Sequence, residues 1–208
     1  MLKLYGFPVS NYFNMVKIAL LEKGADFEYV HCMASQEDDY LSKSPMGKVP
    51  CIETDQGFLS ETSVIFDYIE DTCDGPAFYP ADPFKRAKVK ELIKELELYV
   101  ELPARTCYPE AFFGGEVSDE VKDKALTAIK KGLACIKRNG SFSPYIAGAD
   151  ITYADFFLMY SLNLVGAVGK RVFKTDLLED FPEAKKLMSA LGERESAKTV
   201  AQDQKSAA

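Results

Sequence analysis

The sequence predicts two domains, a small α/β domain followed by an all-helical domain. Strand and helix patterns alternate only in the first part of the chain, and strand signals nearly vanish in the rest. Between these parts lies a segment with three prolines and a glycine, which is a typical linker composition. We therefore place the first domain at 1–73, the linker at 74–83 and the helical domain at 84–208.

The first domain begins with the apolar strand LKLY and a short loop, followed by a helix that Gly24 ends. Either Ser10 or Asn11 can cap this helix, because a side-chain oxygen there can accept an unpaired N–H of the first turn. The helix has one apolar side, and we expect Asn14 and Lys17 to lie away from it.

The rest of the first domain continues this alternation. The pattern predicts a strand at 27–31, a short helix or irregular loop at 35–43, a tight hairpin over 49–59 and a helix over 61–73. The expected order is therefore β-α-β-(α)-β-β-α.

The second domain shows helical periodicity almost throughout. Pro103 is expected to kink the first helix, because proline lacks an N–H and its ring clashes with the preceding turn. The last residues, ESAKTVAQDQKSAA, have a weak, frayed pattern. The predicted helices cover 84–113, 118–138, 152–165 and 180–191.

Charge and hydropathy exclude two classes of function. The formal net charge of −7, with no long basic run, argues against binding to a phosphate backbone. No apolar run reaches the roughly 18 residues that a membrane-spanning helix needs, and the first residues do not resemble a signal peptide.

The cysteines indicate a reducing compartment. Five widely spaced cysteines and a single histidine provide neither a disulfide framework nor the ligand pairs of a zinc site. We expect reduced thiols, no metal and a cytoplasmic protein. Cys51 lies in a strand, and inert packing is its expected role.

Two segments of the first domain can present backbone donors or acceptors to a ligand. Ser10 lies at a helix N-terminus, which stabilises an anion or a thiolate, although simple capping would also explain it. Val49-Pro50 enters a strand, where a cis bond would turn the Val49 backbone outward, whereas a trans edge-strand proline is the ordinary alternative. An outward edge of this kind can pair with an extended peptide.

Two further helix starts carry polar pairs. At Glu61-Thr62, a hydroxyl and a helix N-terminus can receive a carboxylate while the Glu61 side chain pairs with an ammonium group, and helix capping is the alternative. Thr152 and Asp155 have the spacing of a capping box before an apolar run, so we expect them to serve folding.

Four segments in this order resemble the glutathione transferase superfamily: KLYGFPVSNYFNMVKIALLEKG, SPMGKVPCIE, LSETSVIFDYIE and AGADITYADFF. The resemblance covers nearly the whole chain. The family has Val-Pro followed by Glu-Ser at the same spacing, and Thr62 replaces that serine here. Members of this family have a thioredoxin-like N-terminal domain and an all-helical C-terminal domain.

The resemblance also implies the binding residues. Ser10 resembles the serine that contacts the glutathione sulfur in the serine-type classes, and Asn11 is a second candidate for that contact. Val49 would hydrogen-bond the cysteinyl backbone, and we predict a cis bond to Pro50 because this pairing needs the Val49 backbone turned outward. Glu61 and Thr62 would hold the γ-glutamyl end. The glycyl carboxylate would meet Lys48 or a residue within 36–43. A pocket for the second substrate would come from Tyr99, Arg105, Tyr108, Phe112 and Phe113, for which core or dimer contacts are the alternative.

The family implies a cytoplasmic homodimer that uses glutathione as co-substrate in detoxification. Conjugation of the glutathione thiolate to small electrophiles is the main hypothesis. Two alternatives are glutathione-dependent disulfide or peroxide reduction, and a non-catalytic stress or regulatory protein of the same fold. The presence of Ser10, Val49-Pro50 and Glu61-Thr62 favours a glutathione-binding protein over the last of these.

Overall fold

The computed structural model describes residues 1–207, which form two compact units. The first unit contains Met1–Tyr79 together with the segment that begins at Gly192, and the second contains Pro80–Leu191. The sequence-based boundaries placed everything after 84 in the helical domain, whereas the segment from Gly192 onward packs with the first unit.

The elements follow one another in the expected order. The strands are β1 Leu2–Gly6, β2 Phe27–His31, β3 Cys51–Thr54 and β4 Gly57–Ser60. The helices are α1 Asn11–Lys23, α2 Asp38–Leu41, α3 Thr62–Thr72, α4 Pro83–Leu96, α5 Leu102–Arg105, α6 Tyr108–Phe112, α7 Asp119–Asn139, α8 Tyr153–Val168, α9 Pro182–Gly192 and α10 Glu195–Ser206. Two π-helical turns, Glu97–Glu101 and Gly169–Phe173, follow α4 and α8.

The first unit is built on a four-stranded mixed sheet in the order β2-β1-β3-β4. β1 runs parallel to β2 and antiparallel to β3, which in turn is antiparallel to β4. The parallel pair needs the crossover helix α1, and the antiparallel pair β3–β4 needs only the tight turn at 55–56. This sheet, with α1 and α3 packed on it, confirms the predicted thioredoxin-like fold.

The last described segment corrects the expectation of a frayed end. It forms α10, which packs against α1 with Ala197 and Val200 buried. Ion pairs reinforce this contact, with Lys17 Nζ 2.6 Å from an Asp203 oxygen and Arg194 Nη2 2.5 Å from a Glu22 oxygen. A weakly apolar helix is therefore held by tertiary contacts that its own periodicity does not reveal.

The same contact explains a second error. Asn14 and Lys17 were expected to lie away from the apolar face of α1, yet they are only 1 % and 8 % exposed. α1 contacts α3 and α10 as well as the sheet, so it is covered on more sides than a single amphipathic face predicts.

In the second unit the break in the first long helix begins before Pro103. A proline ring clashes with the carbonyl four residues earlier, which here belongs to Tyr99. Tyr99 lies inside the π-helical turn Glu97–Glu101, whose wider winding accommodates the missing hydrogen bond. The expected kink is therefore a π turn followed by the short helices α5 and α6.

α8 is the central helix of this unit, with twelve of its side chains buried. Its N-terminus carries the predicted capping box formed by Thr152 and Asp155. Among residues 1–207, no helix combines the length and the apolar character that a membrane span demands.

Candidate functional site

Three of the predicted binding segments meet at one end of the sheet. The register pairs Tyr5 with Cys51, and Cys51 with Ser60. Because β1 and β4 end where β3 begins, the loop before Ser10, the Val49-Pro50 pair and the start of α3 all lie at this end. We call it the convergent end of the sheet. Loops at one sheet end are a common place for ligand binding.

Ser10 is the N-cap of α1. Its hydroxyl oxygen accepts a bond of 3.4 Å from the Phe13 N–H, and the residue is half-buried. A hydroxyl has one donor besides its acceptor lone pairs, so Ser10 can cap the helix and still donate to an anion. Asn11 is the first residue of α1 and is also half-buried.

Buried groups hold the loop before Ser10. The Asn14 side chain donates a bond of 2.7 Å to the Pro8 carbonyl, and the Ser10 N–H bonds the Phe7 carbonyl at 3.0 Å. Gly6 has φ of 153°, and a Cβ there would lie 2.4 Å from a Phe13 ring carbon. Only glycine therefore fits this close approach between β1 and α1.

The Val49-Pro50 peptide bond is cis, as the sequence analysis predicted. Within residues 1–207, no hydrogen bond engages the N–H or the carbonyl of Val49. The Lys48 carbonyl is occupied by the Tyr40 hydroxyl at 3.0 Å and the Ser44 hydroxyl at 2.8 Å, while Lys48 itself is exposed. The Val49 backbone is thus available to pair with an extended ligand.

The start of α3 is unusual in two ways. Its N-cap, Glu61, makes no side-chain capping bond, and its backbone has φ of 70° and ψ of 114°. A positive φ is costly for a residue other than glycine, and such strain is frequent at binding sites. Glu61 is exposed and Thr62 is 6 % exposed, so a carboxylate and a buried hydroxyl flank the uncapped helix N-terminus.

The two cysteines at this end of the sheet remain protonated thiols. Burial raises the pKa of Cys51 to about 11, and burial also raises the pKa of Cys32. Cys51 is fully buried, with its sulfur 3.9 Å from the Tyr40 hydroxyl. Thiols of this kind are poor nucleophiles, which agrees with the packing role expected of Cys51.

Three of the predicted pocket residues of the second unit form a stack. The Arg105 guanidinium carbon lies 4.8 Å from the Tyr108 ring centre, and the Tyr108 and Phe112 rings are 5.2 Å apart at 79°. Arg105 Nε also donates to the fully buried Glu101 carboxylate at 2.9 Å. Arg105 is therefore neutralised by a partner and orients Tyr108.

The other two predicted pocket residues lie at the surface of their unit. Tyr99 belongs to the first π-helical turn and is 52 % exposed, and Phe113 follows α6 and is 78 % exposed.

Sequence reasoning missed two residues that matter here. Asn14, which fixes the loop before Ser10, is a polar residue inside an otherwise apolar helix pattern, and that irregularity was its only signal. Arg171 completes the aromatic stack, with its guanidinium carbon 4.9 Å from the Phe112 ring centre. Its signal was the basic cluster at 170–174.

Family models match both parts of the chain. A model described as the N-terminal domain of glutathione S-transferase covers 4–77, and one described as its C-terminal domain covers 109–202. A glutathione S-transferase from Pseudomonas putida is 58% identical over 193 residues, covering 93% of this chain and 88% of the relative.

Solved structures share the fold over nearly the whole chain. Glutathione transferase F2 from Populus trichocarpa superposes with a TM-score of 0.83 at 21% identity, covering 99% of this chain and 100% of that one. Glutathione transferase E6 from Drosophila melanogaster gives 0.80 at 25% identity, with 99% and 94% covered.

Proposed function

This chain belongs to the glutathione transferase family, and we propose that it joins the sulfur of glutathione to small electrophiles through residues at the convergent end of its sheet. One observation carries the assignment of these residues. Ser10, the unpaired Val49 backbone and the uncapped start of α3 lie together at that end.

Glutathione is an extended, anionic tripeptide, and each part of it has a matching group here. The Val49 N–H and carbonyl pair with its cysteinyl backbone, beside the cis Pro50. The Thr62 hydroxyl and the N–H groups of the first turn of α3 receive the γ-glutamyl carboxylate, and Glu61 pairs with its ammonium group. Lys48, exposed beside this segment, meets the glycyl carboxylate.

Ser10 donates its hydroxyl hydrogen to the glutathione sulfur and favours the thiolate. Asn11 is the alternative donor. A thiol with a pKa of about 8.5 is only about 3% ionised at pH 7, so complete ionisation gains at most roughly thirtyfold, or about 2 kcal/mol. Any larger acceleration comes from holding the electrophile close to the sulfur.

The electrophile is bound by the second unit. Tyr99, Phe112 and Phe113 provide exposed aromatic area. The Tyr108 ring packs against Phe112 in a T-shaped contact. Arg105 holds Tyr108 in place while remaining paired with Glu101. In this arrangement Arg105 is a positioning residue of the pocket.

We further propose a homodimer in the cytoplasm. Apolar side chains at the surface of both units, such as Val64 at 47 % and Phe84 at 75 % exposure, support an additional interface. All five cysteines are free, which supports a reducing compartment. Light scattering at micromolar concentration should give twice the 23.2 kDa mass of one chain, and a value near one chain would contradict the dimer.

A conjugation assay tests the proposed reaction. The purified protein, given glutathione and a generic aryl halide, should form the thioether faster than the uncatalysed mixture, and it should bind to immobilised glutathione. Binding without conjugation, combined with turnover of a disulfide or a hydroperoxide, would favour reduction instead. Absence of glutathione binding would point to the non-catalytic alternative.

A further inference from the structure

The second π-helical turn and the residue after it carry a basic patch of Lys170, Arg171 and Lys174. In the part of the chain that the structure describes, none of the three has a carboxylate within ion-pair distance. The chain as a whole has a formal net charge of −7, so this local excess of positive charge runs against the overall balance.

The acidic side chains near this patch compensate it only in part, because their ion pairs are with residues outside it, although Lys174 also attracts Glu110 and Lys170 also attracts Asp176. Glu110 of α6 lies 2.8 Å from Lys122, and Asp176 lies 2.7 Å from Lys185. Glu101 is bonded to Arg105. Arg171 itself pairs with none of these carboxylates, so its positive charge remains available to an anion.

Arg171 is the member of the patch that is fixed in place. Its Nη1 donates a bond of 3.1 Å to the Ala111 carbonyl, and its guanidinium lies against the Phe112 ring. A guanidinium has five N–H donors in a rigid planar fork, and in the described part of the chain the bond to Ala111 occupies only one of them. The remaining donors suit bidentate binding of a carboxylate.

An aromatic surface lies next to this fork. Phe112 is 36 % exposed and Phe113 is 78 % exposed. A planar group can stack on these rings while an attached carboxylate reaches Arg171. The juxtaposition of Arg171 with Phe112 thus combines one charged and one flat apolar contact.

We propose that the second substrate of this enzyme is a planar electrophile that carries a carboxylate, and that Arg171 is the residue that selects for it. The inference rests on the proposed function, because it assigns the pocket for the second substrate to the second unit. A neutral analogue leaves the donors of Arg171 without their charged acceptor and binds more weakly.

Two isosteric probes separate charge from shape: 4-chloro-3-nitrobenzoate and 4-chloro-3-nitrobenzamide. In both, the glutathione thiolate forms a C–S bond at the carbon bearing chlorine, and chloride leaves with the bonding electron pair. The carboxylate and the amide gain and lose no bond in this displacement, although they activate the ring to different degrees. The kinetic constants KM and kcat are measured for both probes, and equilibrium binding is measured by calorimetry with unreactive S-methylglutathione present.

We expect the native protein to prefer the benzoate in KM and in Kd. The Arg171→Gln variant should weaken benzoate binding by about tenfold or more and change benzamide binding by less than about threefold, with kcat nearly unchanged for both. The Arg171→Lys variant keeps the charge but loses the planar fork, so its affinity for the benzoate should lie between those of the native protein and Arg171→Gln. The Arg138→Gln variant, which removes an exposed arginine of α7, should behave like the native protein.

Equal weakening of both probes in Arg171→Gln, or a native protein without preference for the benzoate, would overturn the inference. An unchanged melting temperature of Arg171→Gln rules out a folding defect. If that variant does not fold, the binding of both probes is measured in Arg171→Lys instead. If neither probe is conjugated but benzoate binding still depends on Arg171, the anion site stands and the proposed function fails.

Discussion

The starts of α3 and α8 are both helix N-termini with a hydroxyl residue, and they differ in whether side chains cap the helix. At α8 the Asp155 carboxylate accepts bonds of 2.9 Å from the Ile146 N–H and of 2.7 Å from the Thr152 N–H, and the Thr152 hydroxyl adds a third at 2.9 Å. At α3 no side chain caps the helix.

One local motif can therefore serve either folding or binding. A helix N-terminus attracts negative charge in both cases. Where the chain supplies its own buried carboxylate, as at Asp155, the attraction is consumed in holding the fold. Where the N-cap is held at a positive φ and provides no side-chain acceptor, as at Glu61, the attraction remains for a ligand.

The largest effect is expected from Asp155→Ala. The substitution leaves three buried donors without an acceptor, and we expect the free energy of unfolding to fall by roughly 3 to 5 kcal/mol. Urea denaturation measures the loss. A variant with an unchanged melting temperature and lost turnover would show that Asp155 serves chemistry and would contradict its role in stabilising the fold.

The stability of the fold around Asp155 depends on pH. Burial raises the pKa of Asp155 to about 6, although its hydrogen bonds act in the opposite direction. The folded state therefore holds this proton more tightly than the unfolded state, for which the ordinary pKa is 3.8. The stability that the protonated group contributes is complete below about pH 4 and is lost as the pH rises through about 6.

We expect this loss to amount to about 1 to 3 kcal/mol between pH 4 and pH 7. It is measured as the difference in unfolding free energy between the native protein and Asp155→Asn, whose amide does not titrate. A difference that stays constant over this pH range would contradict the raised pKa.

Much of this comparison was readable from the sequence. The apolar run after Thr152 and the spacing to Asp155 predicted the capping box, and the Glu61-Thr62 pair marked the start of α3 as a candidate binding site, because both signals are local. The burial of Lys17 and the helix α10 were missed, because both depend on a contact across 186 residues of chain.

The positions of the pocket residues were less predictable. Arg105 was expected to line a pocket, with a core or dimer contact as the alternative. Its bond to Glu101 is a local i,i+4 helix pair, whereas the complete burial of Glu101 depends on tertiary packing. The contact of Arg171 with Phe112 joins segments about 60 residues apart, and no local pattern encodes such a pair.

Replacement of Glu61 by glutamine removes the negative charge at the start of α3 and tests its contribution to glutathione binding. Exposed ion pairs contribute about 1 kcal/mol or less, so Glu61→Gln should weaken glutathione binding by up to about fivefold. Calorimetric titration with glutathione measures the change. Glu28→Gln, at an exposed position of β2, is the matched control and should bind normally; equal weakening in both variants would contradict a specific role for Glu61.

The smallest effect is expected from Glu61→Gly, and its sign is the informative part. Glycine adopts a positive φ without steric penalty, and removal of the Glu61 side chain loses no capping bond. The unfolding free energy should therefore rise by up to about 1 kcal/mol. Glutathione affinity should fall as it does in Glu61→Gln. Destabilisation in urea would show that the Glu61 side chain supports the fold, as the Asp155 side chain does.

Titration of bound glutathione identifies the residue that donates to its sulfur. Thiolate absorbance is followed against pH in the native protein, Ser10→Ala and Asn11→Ala. We expect the pKa of the bound thiol to lie below that of free glutathione, and to rise by one or two units only in Ser10→Ala, since one hydrogen bond to a charged sulfur is worth about 1.5 to 3 kcal/mol. Turnover at neutral pH should fall about ten- to a hundredfold in that variant, with glutathione affinity nearly unchanged. A thiol pKa that does not move in Ser10→Ala but rises in Asn11→Ala would contradict the account and assign the sulfur contact to Asn11.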